Sequence, residues 1–271
     1  MKTPFLIASL FLLLLWPAFL EGKIKDKPEI LLYLPFDEGE GQLTADKSGL
    51  GNKTEVVKAK WVQGKFGKAL EFNGKGQYAR TKAHPSFAFK AKDEITVMAW
   101  IKQATAAVGA IIYNRPQGSD CNFGFRSENQ GISWFYFGDG DWQGVKSDPP
   151  NLIPLNKWVH VAATNIFGEG QKQMKVYING KEGKTVKGWG PGEADPLSLK
   201  GPIDIGARWA GQDHLFNGVI DEVQIYRGIF SQEELQKIIQ GPASEFLDDS
   251  GTSVDPAGKL TTTWGQLKLT N

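Results

Sequence analysis

The sequence predicts an all-β protein, a jelly-roll sandwich of two antiparallel sheets with one short C-terminal helix. Three observations carry this. The chain holds 32 glycines and nine tryptophans in 271 residues, a composition suited to many strands joined by tight turns. Five runs of strand length are rich in β-branched and aromatic residues: Ile95–Ile101, Ile132–Phe137, Trp158–Thr164, Met174–Ile178 and Val219–Tyr226. Two of them are followed by dipeptides, Asn179-Gly180 and Asp139-Gly140, that tolerate the positive φ angles of a two-residue hairpin turn.

Taken in order, residues 1–22 read as an export signal. Lys2 precedes an apolar run from Phe5 to Leu20, short for a membrane span of ~20 apolar residues. Cleavage is expected after Gly22, and an uncleaved membrane anchor is the competing reading. Residues 23–28 form a linker, 29–240 the jelly-roll domain and 241–271 a polar tail. Glu38–Thr54 and Gly188–Pro196 are Gly-rich and read as surface loops. Ser231–Gln240 is the one helical segment, with Ser231 and Glu234 spaced as a capping box and Gly241-Pro242 as a stop. From Ala243 onward the composition suggests partial order at best.

Beyond residue 22 there remain 30 basic and 29 acidic side chains (31 minus Lys2, 30 minus Glu21). So balanced a chain gives no reason to expect nucleic acid or an anionic membrane as partner. The single cysteine, Cys121, has no internal partner, and it reads as a half-buried free thiol. Stability outside the cell must then come from the core.

Several segments, in register, resemble the laminin-G-like jelly-roll family of the concanavalin A-like lectin/glucanase superfamily. They are LLYLPFDEGEGQLTADKSGLGN (31–52), WVQGKFGKALEFNGKGQYA (61–79), ITVMAWIK (95–102), KWVHVAATN with MKVYINGK (157–181), and IDIGAR with FNGVIDEVQIYRGIFSQEEL (203–235). The resemblance implies a sandwich and leaves the ligand open, since members bind carbohydrate, bind protein or accompany enzymes. It also implies a structural calcium ion where the first and last strands lie side by side, which would bring Asp37 toward Asp221.

Catalysis is not expected. Some jelly rolls of this superfamily are glucanases with a Glu-x-Asp-x-x-Glu strand, whose period of two aligns the carboxylates. Here Asp221 and Glu222 are adjacent, so a regular strand would point them to opposite faces. Asp139 and Asp141 lie in a turn. His84, His160 and His214 are scattered, His160 reading as a hydrogen-bonded core histidine. No HExxH, Gly-x-Ser-x-Gly or Walker pattern occurs.

The expected function is therefore that of a secreted, non-catalytic binding module for extracellular or cell-surface carbohydrate. The alternatives are a protein-binding adhesion or scaffolding module and a glycoside hydrolase with an unrecognised site. Trp61, Trp100 and Trp158 sit in the family-like strands and read as core. Trp142, Trp189 and Trp209 sit in Gly- and Asp-rich loops, where exposure and function concentrate. Arg115, Trp142, Arg208 and Trp209 are the candidate ligand-binding residues, with Asn114, Asp120, Asn122, Arg126, Asp213 and His214 around them. Asn52-Lys53-Thr54 is an N-glycosylation triplet. A period of two places Asp221 inward with Val219, Val223 and Ile225, where its carboxylate needs either a lysine or arginine or a calcium ion shared with Asp37.

Overall fold

A computed structural model describes residues 27–115, 122–148 and 153–247. Residues 1–22, read above as an export signal, Asp120, Cys121 and the tail beyond Leu247 lie outside these residues. The described residues form two antiparallel sheets of eight and nine strands. Sheet I runs Lys181–Glu182, Lys175–Ile178, Val159–Ile166, Glu94–Gln103, Asn217–Arg227, Lys68–Asn73 and Lys60–Gln63, and Glu29–Leu34 also pairs with Asn217–Arg227. Sheet II runs Thr185–Lys187, Asp141–Ser147, Gly131–Gly138, Phe123–Glu128, Gly109–Asn114, Ile203–Ile205, Tyr78–Thr81, Lys53–Val57 and Leu43–Ala45.

Alternation along the strands sorts each sheet into an inner and an outer face. From sheet I, Val97, Ala99, Ile101, Val161 and Ile225 enter the core; from sheet II, Ile112, Phe125, Trp134, Tyr136 and Ile205 meet them. Both predicted hairpins form. Asn179 and Gly180 (φ 51° and 69°) join Ile178 to Lys181, and Asp139 and Gly140 (φ 49° and 81°) join Gly138 to Asp141. The helix spans Gln232–Ile238, and Ser231 with Glu234 makes the reciprocal capping box.

Two segments differ from the sequence reading. Glu38–Thr54 contains the strand Leu43–Ala45 and the start of Lys53–Val57. The Asp46 carboxylate organises what lies between, accepting from the N–H of Tyr33, Ser48 and Asn52, the Ser48 hydroxyl and the Asn52 amide. Few apolar residues are needed where one carboxylate gathers five donors. Asn52 is consequently buried, its amide also donating to the Leu31 carbonyl; the glycosylation triplet is folded into the structure. Likewise, the first residues of the expected tail are packed: Ala243 and Leu247 are buried beside Tyr33, Tyr226 and Leu235.

Candidate ligand-binding face

The outer face of sheet II carries the predicted binding residues. Tyr113, Phe135, Trp142 and Trp189 form an aromatic layer there, apart from the main core. Glycine lets the layer lie flat. Phe135 pairs across the sheet with Gly124 and Gly144, and a Cβ at Gly124 would come within 2.4 Å of the Phe135 ring. At Gly144 it would come within 2.8 Å of Trp189. Trp142 meets Phe135 and Phe137 edge-on at 5.3 and 5.1 Å.

Trp189 is held by its backbone. Gly188 and Trp189 N–H donate to the Gly144 carbonyl, and Gly190 N–H to that of Trp142. The Gln171 side-chain amide donates to the carbonyls of Trp189 and Gly190. Trp209 occupies a tight loop with its backbone in the left-handed region (φ 57°). Arg208 and Asp213 close that loop by a bridge, and Ala210 N–H is anchored on the Asp204 carboxylate, which also binds Arg80.

Cations lie over these rings. The guanidinium carbons of Arg208 and Arg115 stand 4.2 and 4.5 Å from the Trp209 ring centre. That of Arg126 stands 5.0 Å from Phe135 and 5.1 Å from Trp189, and Lys146 lies 4.9 Å from Trp189. Contacts of this kind contribute ~0.5–2 kcal/mol depending on desolvation, enough to hold flexible side chains in place. A cavity of 190 Å³ opens between Arg126, Phe135, Trp142, Trp189 and Arg208.

Behind the cavity, Arg126 donates to Glu128 at 2.9 Å, and Lys146 reaches the same carboxylate at 3.2 Å. Burial alone would raise the Glu128 carboxyl, but Arg126, Ser133 and Lys146 outweigh it and hold Glu128 below its ordinary range. His214 contacts Arg126 at 3.5 Å and is stacked on Tyr113. Burial, then Arg126, pushes its imidazole down, partly offset by Asp213.

All four residues singled out from the sequence thus lie on one surface, with Trp142 and Arg208 lining the cavity and Trp209 and Arg115 beside it. The set lacked Arg126 and Trp189, which the wider survey of loop polar and aromatic residues included, and Phe135, which it did not. Phe135 sits in an unbroken aromatic run, where no signal marks which rings face outward. Asn114 and Asn122 are elsewhere in role: both are buried and bond to each other and to the carbonyls of Gly201 and Leu199.

Asp221 is on the other sheet and does not face the core. The strand Asn217–Arg227 bulges between Asp221 and Gln224, with Glu222 at φ 53°. The bulge lies where the strand exchanges Lys68–Asn73 for Glu29–Leu34 as neighbour. Ile220 and Val223 both enter the core, so Asp221 and Glu222 share the outer side, and the strict alternation expected of them fails. Among the described residues no lysine or arginine pairs with Asp221; its carboxylate accepts the N–H groups of Lys65, Phe66 and Glu222. Glu222 accepts from the Tyr33 hydroxyl and from Ala243 N–H. Burial nonetheless pushes Asp221 up to about 7, with the Asp37 charge adding to the rise, and Glu222 up to about 8, with the charges of Asp221 and Asp37 adding to it.

Asp37, exposed at the end of the first strand, takes Lys68 N–H at 2.9 Å and packs over Gly67, where a Cβ would clash at 1.9 Å. Asp37 and Asp221 therefore flank one turn. The donor set is incomplete for calcium, which takes six to eight oxygens: N–H groups already converge on Asp221, and the described residues hold no group of three acidic, His or Cys side chains suited to a metal.

Among the tryptophans read as core, Trp100 is buried under Lys65 and Phe66. Trp61 and Trp158 are only half-buried, as are Trp142 and Trp209. Trp158 is thus not distinguished from the loop tryptophans by its burial class. His160 is buried beside Trp100 at 5.5 Å, but neither ring nitrogen has a hydrogen-bond partner. In place of the expected hydrogen bond the ring packs edge-on against the Trp100 indole, and burial pushes the imidazole down to about 3.

A laminin G family model, described as the concanavalin A-like lectin/glucanases superfamily, matches residues 73–236. The chain belongs to this superfamily. No curated relative matches the sequence. Among solved structures, this lectin-like domain is similar to domain 4 of AbnA, a GH43 extracellular arabinanase from Geobacillus stearothermophilus, in complex with arabinotriose. The identity is 18%, the TM-score 0.59, and the match covers 79% of this chain and 99% of that one. It is similar also to the binding domain of Paraclostridial Mosquitocidal Protein 1 (15% identity, TM-score 0.62, 82% and 55% covered). The binding domain of botulinum neurotoxin serotype G is a third case (16%, 0.61, 78% and 51%). The chain spans about half the length of these toxin binding domains, and at such identities the likeness is one of fold.

Proposed function

We propose that this domain is a secreted, non-catalytic module that binds carbohydrate on the outer face of sheet II. The observation that carries the reading is the cavity between Trp142, Trp189, Phe135, Arg126 and Arg208. Aromatic rings offer flat apolar surface to the C–H faces of a sugar, and the guanidiniums offer fixed donors to its hydroxyls. The arabinanase domain's arabinotriose complex supports the reading by analogy of fold. The adjacent carboxylates Asp221 and Glu222 do not supply a hydrolase site: they are 0% and 2% exposed, so a glycosidic bond has no access to them. A glycan array probed with the full chain tests the proposal. Retention of oligosaccharides that is lost in Trp142→Ala is expected; no retention across neutral and acidic families would overturn it.

Protein recognition is the second reading, favoured by the similarity to domains described as binding or receptor-binding domains. It gains if the array is silent and Trp142→Ala abolishes capture of a protein partner. Export rests on residues 1–22; no helix among the described residues is long and apolar enough to cross a membrane.

Calcium at the Asp37–Asp221 turn remains a proposal. The adjacent buried carboxylates of Asp221 and Glu222, both with raised pKa values, favour a cation, and the N–H groups on Asp221 oppose one. A resident ion would stabilise the fold by ~2.7 kcal/mol at a hundredfold excess over Kd. The melting temperature should then rise with millimolar calcium and lose that dependence in Asp221→Asn. An unmoved melting curve on chelation, with Asp221→Asn still destabilising, would leave the N–H groups as the carboxylate's sole partners.

A further inference from the structure

We infer that His214 positions Arg126 in the wall of the sheet II cavity, and that mild acidification, by protonating His214, releases the saccharide held there. The inference rests on the binding-face reading and adds its regulation. Arg126 reaches the cavity from the strand Phe123–Glu128 and lies against two of its aromatic walls, Phe135 and Trp189. Its side chain is 11% exposed, and two polar contacts fix it. One outer nitrogen donates to Glu128 at 2.9 Å, and the other meets Nε2 of His214 at 3.5 Å. A guanidinium only donates hydrogen bonds. Nε2 can therefore take part only as an unprotonated acceptor, which puts the imidazole proton on Nδ1, the nitrogen 3.4 Å from the Asp213 carboxylate. Asp213, His214, Arg126 and Glu128 thus form one polar chain from the Trp209 loop to the cavity.

The imidazole has little room to retreat. Its ring stacks on Tyr113, with centres 6.1 Å apart and planes 29° from parallel. Its backbone is pinned as well: the carbonyl accepts from Ala110 N–H, and the N–H donates to Asp213. The charged or titratable groups facing it are Tyr113 from the strand Gly109–Asn114, Arg126 and Glu128 from the strand Phe123–Glu128, and Arg208 and Asp213 from its own loop. Burial and the two arginines oppose the imidazolium and Asp213 and Glu128 favour it, and the balance holds the ring below its ordinary value. At neutral pH His214 is therefore the acceptor that Arg126 needs. Protonation turns Nε2 into a donor and sets two like charges 3.5 Å apart. Arg126 then leaves His214, and with it the position over Phe135 and Trp189 that shapes the cavity. One proton taken up on release weakens binding by up to about tenfold per pH unit below the midpoint.

The test has a ligand-free arm and a binding arm, both on the full chain. In NMR spectra from pH 7.5 to 5.0, the His214 ring, identified by its loss in His214→Gln, should carry its proton on Nδ1 and titrate. The Arg126 Nε–H signal should move with the same midpoint. In His214→Gln, whose amide oxygen stands close to the place of Nε2, that movement should vanish. An Arg126 signal that stays flat, or that still moves in His214→Gln, would overturn the inference. Should this variant fail to fold, the shared midpoint in the unaltered protein carries the same test. In the binding arm the glycan array is read at pH 7.5 and 5.0, and severalfold weaker retention at pH 5.0 is expected. His214→Gln should lose that pH dependence. His214→Asn suits the left-handed backbone (φ 44°) but is too short to reach Arg126, and should weaken retention at both pH values. Equal retention at the two pH values in the unaltered protein would overturn the inference and leave the glycan reading standing. A silent array removes the glycan reading, and the NMR arm still decides whether His214 holds Arg126.

Discussion

The two outward faces of the sandwich have opposite fates. On sheet I the chain returns to cover its own apolar surface: Phe230, Leu235, Ile238, Ala243 and Leu247 pack on Ile30, Tyr33, Met98, Ala162, Tyr177 and Tyr226. On sheet II, nothing among the described residues covers the aromatic layer in this way; Trp142 and Trp189 remain half-buried, with arginines over the rings. One apolar face is closed by the helix and the segment after it, and the other is where we propose that a ligand binds. The difference teaches that an aromatic-rich strand says little about function until the partner of its outer face is known.

The largest effects should fall on the closed face. Leu235 is fully buried between helix and sheet, so Leu235→Ala should cost about 2–5 kcal/mol by chemical denaturation, the range of large-to-small core changes. Trp100→Ala, which removes the indole under Lys65 and Phe66, should cost about 3–5 kcal/mol. A loss below ~1 kcal/mol in Leu235→Ala would mean that the helix merely rests on sheet I, and one in Trp100→Ala that the turn at Lys65 and Phe66 merely rests on the indole.

Much of this contrast was legible in the sequence. The Asn179-Gly180 turn and the Ser231–Glu234 box are local signals, each set by a few neighbouring residues, and both formed. The inward or outward sense of Asp221 was not, because one bulge at Glu222 resets the alternation and a bulge leaves no residue signature. Trp142, Arg208, Trp209 and Arg115 were singled out as polar and aromatic residues in or beside Gly-rich loops, and the structure brings them to one surface, Trp142 from the strand Asp141–Ser147. Phe135 joins them on that surface without having been singled out, because its outward position depends on Gly124 and Gly144, which belong to other strands.

A second, smaller effect concerns pH and again separates the faces. Glu222 lies on the closed side with its pKa raised by burial to about 8. The folded state then keeps a proton that the unfolded state releases above about pH 4.3, so stability attributable to this group falls as pH rises toward 8. His160, pushed down to about 3, acts with the opposite sign between pH 3 and 6.5, losing stability as pH falls. Comparing Glu222→Gln with the unaltered protein isolates the first group. The variant should gain relative stability steadily from pH 5 to 8, at up to about 1.4 kcal/mol per pH unit. A difference that stays constant over this range would show Glu222 ionised throughout, as an adjacent cation would make it.

The smallest effect on stability should come from the open face, and there it is the most informative. Trp142 begins a strand beside an exposed turn, half-buried and touching only Phe135 and Phe137 edge-on among the aromatic rings. Trp142→Ala leaves the Gln143 side chain and the Gly190 N–H bond to the residue 142 carbonyl intact, since these use Gln143 and backbone. What is lost is the edge-on packing against Phe135 and Phe137, the Arg208 guanidinium's contact with the ring at 6.0 Å and one wall of the cavity. We therefore expect a cost of about 1 kcal/mol or less in denaturation, close to that of an ordinary surface substitution, together with loss of ligand retention on the array. A cost as large as that of Trp100→Ala would mean that the indole supports the sheet, and the face would then resemble the closed one more than a binding surface. Near-normal stability with binding intact would place the ligand elsewhere on the molecule.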